Sequence, residues 1–182
     1  MESSSRIEGN PGGVPAKGEV EIDFGWNLES QERTFDRISE WIRAVDVKSS
    51  SVLAIDTALI AVIVGLAARP GGWTSWDGIL ILLGGAFLIA SVVMVALSII
   101  PQLTGNKQSL IFFGDIARLS LTEYSVRVGS RSLSDYLADL NTQCHRNSEI
   151  ALRKYSWNQR ATRLLITGII PWLISLLLIL QR

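Results

Sequence analysis

Few residues in this chain can do chemistry, and their spacing excludes more than it offers. Cys144 and His145 are the single cysteine and single histidine. Side chains of adjacent residues on a helix diverge, so the pair does not make a nucleophile and base. One cysteine and one histidine also exclude an internal disulfide framework and a Cys/His zinc cluster. There is no glycine-rich phosphate loop, no metal-ligand cluster and no credible pair of carboxylates, so neither an enzyme nor a bound metal or cofactor is expected. Two features remain. Five arginines, Arg118, Arg127, Arg131, Arg146 and Arg153, are interleaved with Phe112, Phe113, Tyr124 and Tyr136. One carboxylate, Asp56, interrupts an otherwise apolar run.

The elements that carry these residues belong to a membrane. The chain has 182 residues, 48% of them hydrophobic, and a mean hydropathy of +0.29. Basic and acidic residues total 17 each, so net charge points to no partner, and none is expected among nucleic acids. Three apolar runs stand out, at 52–68, 79–100 and 164–180. A membrane span needs about 20 mostly apolar residues. The second run meets this alone, and the others reach it with small or interfacial neighbours. The expected spans are 51–68, 79–100 and 161–180. The alternative is three buried helices of a soluble bundle, which an uncharged run of this length disfavours.

Lysines and arginines near span ends set orientation. Arg33, Arg37, Arg43 and Lys48 precede the first span, and nine basic residues lie between the second and third. The loop at 69–78 has only Arg69. The N-terminus and residues 101–160 are therefore expected in the cytoplasm, and the loop and C-terminus on the periplasmic or extracellular side. Trp73 and Trp76 suit an outer interfacial belt. Residues 1–27 are polar, without an apolar signal region, and read as a disordered tail.

Leu28, Phe35, Ile38, Ile42 and Val45 repeat at helical spacing, and no breaker separates them from the first span. Leu133, Leu137, Leu140, Cys144, Ala151 and Tyr155 do the same ahead of the third, with Ser130 or Ser132 able to cap the start. The pattern predicts an all-α membrane protein with three transmembrane helices. Two of them, over 28–68 and 132–180, extend into a cytoplasmic stalk. Pro171 is expected to kink the second. A further helix is expected within 108–124, with Ile111, Phe112, Ile116, Leu119 and Tyr124 on its core face, followed by a loop at 127–131.

In this setting the chain resembles the small transmembrane effectors of the Pycsar antiphage system, the PycTM family. The features that carry the likeness are Trp41 with Asp46-Val47-Lys48, then SLIFFGDIA at 109–117, Tyr124, Asp139 with Gln143, NSEIA at 147–151, and Lys154-Tyr155. They are spread in order around the three spans, over residues 35–180. The resemblance implies a bacterial inner-membrane protein paired with a pyrimidine cyclase. It implies a response to cyclic CMP or cyclic UMP that impairs the membrane and aborts phage infection. It transfers no mapped binding site.

A cyclic nucleotide presents one anionic phosphate and a flat base, which arginines and aromatic rings can bind. The candidates are therefore Arg118, Arg127, Arg131, Arg146 and Arg153 with Phe112, Phe113 and Tyr124. For each arginine the competing role is to fix topology and solvate a helix face; for each ring it is core packing. Phe112 and Phe113 point about 100° apart on a helix, so one can be core and the other exposed. Asp56 lies about 6 Å inside its span by helical rise. It either faces protein or water, in a pore or between subunits, or it snorkels and pairs with Arg160 or Arg163. Span two carries Gly84, Gly85, Ala86, Ala90, Ser91 and Ala96, small residues that let helices approach closely. Three spans do not enclose an aqueous pore, so permeability requires a homo-oligomer. The alternative function is a non-gated scaffold that anchors a cytoplasmic partner.

Overall fold

The computed structural model describes residues 17–67, 75–100 and 109–180. Helix α1 spans Lys17–Ala67, α2 Ser75–Ile99, α3 Phe113–Ile116, α4 Leu121–Gly129 and α5 Leu133–Leu180. Among the described residues there is no strand, and α1, α2 and α5 are long and apolar enough to cross a membrane. The all-α reading with two extended helices holds. Each of α1 and α5 runs through its apolar and polar halves as one element, because no proline or glycine pair lies at the transition. Helix α5 also continues through Pro171 without a break.

Two boundaries differ from expectation. Helix α1 begins at Lys17, well before residue 28, while residues 1–16 of the expected tail lie outside the described residues. Helix α2 begins at Ser75, so Trp76, Asp77 and Gly78 are helical and not part of the loop. Asp77 sits in the first turn, where a carboxylate complements the partial positive charge of the helix start. Trp73 lies outside the described residues, and Trp76 is exposed, as an interfacial ring would be.

The three long helices pack along one seam. On α2 the buried positions are Asp77, Ile81, Gly84, Leu88, Ser91, Val95 and Ser98, alternately four and three apart. That spacing is the heptad pattern of a helix pressed against partners along one stripe. Val52, Leu88, Val95, Ala161 and Leu165 form the core of the apolar half. In the polar half Ile38, Leu140 and Cys144 form a second core, with Phe35, Ile42, Ile111 and Tyr136 packed against it. The expected stalk face is thus inward except at Leu133, which stands exposed at the first turn of α5. Cys144 is buried in this core, and burial raises its thiol pKa; His145 is exposed.

The helices approach most closely at glycines. A Cβ on Gly84 would lie 3.3 Å from the Gly168 carbonyl oxygen and 3.3 Å from the Trp172 nitrogen. A Cβ on Gly168 would lie 2.9 Å from Phe87 Cβ. Gly84 serves close packing as expected; Gly85 does not, since a Cβ there meets only Ile63 Cδ1 at 4.0 Å. Hydroxyls on the lipid-facing sides return to their own helix, as Thr57 Oγ1 donates to the Leu53 carbonyl at 2.7 Å and Thr167 Oγ1 to Arg163 at 2.9 Å. This satisfies them where no water is available.

Candidate functional site

The segment at 109–131 does not form the single expected helix. Its first part is a tight turn held by one serine. Ser109 Oγ accepts from the amides of Ile111 and Phe112 at 3.1 and 3.0 Å, which closes the backbone in a non-helical shape. One short turn of helix, α3, follows. The chain then restarts at Ser120, which caps α4 in a reciprocal arrangement with Glu123. Arg127 therefore lies in α4 and not in a loop, because the strong capping signal at Ser120-Leu121-Thr122-Glu123 moves the helix downstream.

Asp139 of α5 anchors this unit. Its Oδ2 accepts from the Leu110 amide at 3.0 Å and from Arg131 Nη2 at 2.5 Å. The pair is largely enclosed, with side chains 15% and 12% exposed. Asp115, also buried, accepts from the Ser109 amide at 3.3 Å through Oδ2. One carboxylate thus clamps both ends of the segment to α5. Between them lies a cavity of about 300 Å³ lined by Ser109, Arg131, Asp135, Asp139, Thr142 and Gln143. A shallower hollow of about 460 Å³, lined by Tyr124, Val128 and Tyr136 among others, shares Leu110 and Arg131 with it. The first volume is at the lower end of the range for small-molecule sites.

Several polar atoms here lack hydrogen-bond partners. Gln143 Nε2, Asp115 Oδ1 and both terminal nitrogens of Arg146 are buried without one. The Arg146 guanidinium lies over the Phe112 ring, 4.8 Å from its centre. Buried donors left unpaired cost free energy, so this cluster is ready to accept a polar ligand or water. Tyr136 bridges the stalk by donating to Glu32 Oε1 of α1 at 3.2 Å, and its phenol pKa is raised, first by burial and then by that hydrogen bond.

Of the predicted residues, the structure brings Arg131 and Tyr124 to the two adjoining hollows and stacks Arg146 on Phe112. Arg118, Arg127 and Arg153 are exposed, as is Phe113, whose ring packs tilted against that of Phe112 with centroids 4.9 Å apart. Sequence reasoning passed over Ser109, Asp139, Thr142 and Gln143 as site residues. The available signal was Asp139 and Gln143, four apart on the same face as buried Leu140 and Cys144, in a seam that should be apolar.

Inside the apolar half, Asp56 is fully buried and faces α2. Ser91 Oγ lies 2.7 Å from Asp56 Oδ2 and 3.0 Å from the Ala161 carbonyl oxygen. The expected alternative of snorkelling and pairing with Arg160 or Arg163 is not found. Both arginines are exposed, and Arg160 stacks on Trp157 at 4.8 Å, because Asp56 falls on the inward stripe of α1 with Ser49 and Val52. Two further layers join the helices. Asn158 Nδ2 donates to Ser49 Oγ at 2.9 Å, and Ser49 Oγ is 3.3 Å from Ser98 Oγ. Lys154 Nζ meets Asp46 Oδ1 at 2.5 Å.

The sequence profile of the Pycsar effector protein domain, PycTM, matches residues 31–181. The chain belongs to the PycTM family. It is similar to the Pycsar effector protein PtPycTM of Propioniciclava tarda, 24% identical over 147 residues, which cover 73% of this chain and 70% of that protein. No solved structure matches it. Residues 31–181 take in the 109–131 unit, α2, α5 and α1 from Gln31 onward, so this PycTM protein is a membrane protein whose family domain includes all three long apolar stretches.

Proposed function

We propose that this PycTM protein is an antiphage effector that responds to a cyclic pyrimidine nucleotide, cyclic CMP or cyclic UMP, by impairing the bacterial inner membrane. A pyrimidine cyclase is its functional partner. The observation that carries the reading is the continuity of α5. One wall of the 300 Å³ cavity, made by Asp135, Asp139, Thr142 and Gln143, and the α5 members of the intramembrane layers, Asn158 and Ala161, are on one unbroken helix. The distribution of basic residues supports a cytoplasmic cavity, with the N-terminus on that side and the C-terminus across the membrane. The spans fall within α1, α2 and α5.

The nucleotide enters the cavity with its phosphate at Arg131 and its base toward Thr142 and Gln143, whose Nε2 is free to donate. Arg146 lies one turn further along α5. A phosphate at Arg131 competes with Asp139, the group that also holds the Leu110 amide, so binding loosens the clamp on the 109–112 turn and shifts its packing on α1 and α5. Three helices enclose no aqueous path, so leakage requires several copies. Liposomes carrying the full chain and a trapped dye test this. Cyclic CMP or cyclic UMP should release the dye, and Arg131→Gln should abolish the dependence of release on nucleotide without preventing insertion. Absence of both nucleotide binding and release would overturn the reading, and binding without release would favour the scaffold.

A further inference from the structure

A second site lies where α1 and α5 enter the apolar zone. Charged residues on α5 stop at Arg163, and on α1 only Asp56 follows Lys48 before the apolar run ends. At this level a groove of about 570 Å³ opens on the surface, lined by Lys48, Tyr155, Asn158, Gln159, Thr162 and Arg163 together with Leu152 and Ser156. None of its lining residues is acidic. Lys48 Nζ reaches across from α1 to the Tyr155 ring, 5.7 Å from its centre. Lys48, Gln159 and Arg163 are exposed. Leu152, 74% exposed, extends the groove with an apolar wall.

We propose that this groove binds the phosphate of an anionic phospholipid headgroup. Lys48 and Arg163 supply two positive charges, and the Gln159 amide supplies neutral donors, on the two sides of a cleft at the membrane boundary. The nearby acidic group of α1, Asp46, is already neutralised by Lys154. Basic pockets between membrane helices on one face of a bilayer take acidic headgroups, while acyl chains run along the adjoining apolar helix. Here the exposed Ile55, Val62, Ile166 and Ile170 continue below the groove. The depth also fits, since interfacial Trp157 with Arg160 lies on the same turns of α5. A lipid bound here touches both helices that carry the stalk.

Tryptophan fluorescence quenching by brominated lipid tests this with the full chain in neutral detergent. Each basic residue near an anionic lipid is worth about fivefold in affinity. Wild type should therefore bind brominated phosphatidylglycerol about 25-fold more tightly than brominated phosphatidylcholine. K48Q/R163Q should bind both alike, and R127Q, altered far from the groove, should keep the preference. Gln159→Glu, a single exposed change that places a carboxylate in the cleft, should cut it to about fivefold and guards against misfolding of the double variant. Equal affinity for the two lipids in wild type would overturn the proposal, as would an undiminished preference in both groove variants. Displacement of the lipid by an equal concentration of glycerol 3-phosphate would reassign the site to free phosphates.

Discussion

The crossing of α2 and α5 at Gly168 gives the sharpest mutational test of the bundle. A methyl group at Gly168 would sit 2.9 Å from Phe87 Cβ, and 3.3 Å from the Gly84 carbonyl oxygen. Carbon atoms rest at about 3.5–4.0 Å, so relief demands roughly 0.6–1.1 Å of movement. No rotamer change supplies it, because Phe87 Cβ is bonded to the backbone and the second obstacle is backbone itself. The two helices must part, at an overpacking cost of about 1–3 kcal/mol. Gly85→Ala is the matched control: it lies in the same crossing region, but its nearest neighbour, Ile63 Cδ1, is 4.0 Å away. Both changes replace glycine by alanine within a helix and so gain the same helix preference. The difference between them isolates packing. At about 2–4 °C per kcal/mol, Gly168→Ala should melt about 2–12 °C below Gly85→Ala in detergent, followed by circular dichroism. Equal midpoints, or a more stable Gly168→Ala, would refute the close crossing.

Other perturbations probe the remaining contacts. Ser91→Ala should lower stability by about 0.6 kcal/mol and at most about 1.7, the measured span for hydrogen bonds between membrane helices. Asp56→Asn should be tolerated, because its amide can donate to Ser91 and leave that hydroxyl for Ala161, whereas Asp56→Lys should prevent assembly of the bundle; unfolding of purified variants in detergent reads both. Asp139→Leu removes the acceptor of Leu110 and Arg131, and since a hydrogen bond to a charged group contributes about 1.5–3 kcal/mol, amide exchange at 110–112 should accelerate at least about tenfold while that of α2 is unchanged. The carboxyls of Glu123 and Asp135 titrate below their ordinary values. The first is held down chiefly by the Ser120 amide and the second by the Ser132 hydroxyl. Their stabilisation of the starts of α4 and α5 is therefore complete at neutral pH and fades as pH falls below about 4. Protection of the amides at 121–137, taken relative to intrinsic exchange at each pH, should be lower at pH 3 than at pH 7, and Ser132→Ala should remove the part belonging to α5.

The long helices were legible because their signals are long and agree with each other. Heptad spacing in α1 and α5 joins apolar runs without a breaker, so both helix type and continuity followed from residues such as Ile38, Val45, Leu140 and Ala151. The 109–131 unit was not legible, because its shape depends on two local side-chain captures. Ser109 closes its own turn, and the Ser120–Glu123 capping box restarts the helix; apolar periodicity through Ile111, Ile116 and Leu119 masks both. Asp139 and Gln143 were hidden for a related reason. Polar residues on an inward stripe have a partner only in three dimensions, and the partner of Asp139 includes a backbone amide that carries no sequence signature. Asp56 was ambiguous on the same ground. Its depth could be estimated from helical rise, but whether it turned toward Ser91 or toward lipid depended on a register set by the Gly84–Gly168 crossing.

That register links the two halves of the proposed mechanism. Asp139 and Asn158 are separated on α5 by about 28 Å of helical rise, with no flexible residue pair between them. A change in the clamp at Leu110 and Arg131 that turns or slides α5 therefore displaces Asn158 and Ala161 as well. In the structure these are partners of Ser49 and Ser91, and Ser91 in turn holds Asp56. The seam is thus polar at the places where rotation would expose it. An ionisable group turned toward lipid near the bilayer centre costs about 2.5–3.5 kcal/mol on insertion scales. Near the boundary the cost is smaller but of the same sign. A displaced bundle lowers this cost by covering Asp56, Ser91 and Ser49 with the equivalent residues of another copy, or by admitting water to them. In the proposed mechanism, the first of these would bring several chains around a polar path through the membrane. An inward stripe made only of leucine and valine would supply neither the need to assemble nor the polar lining.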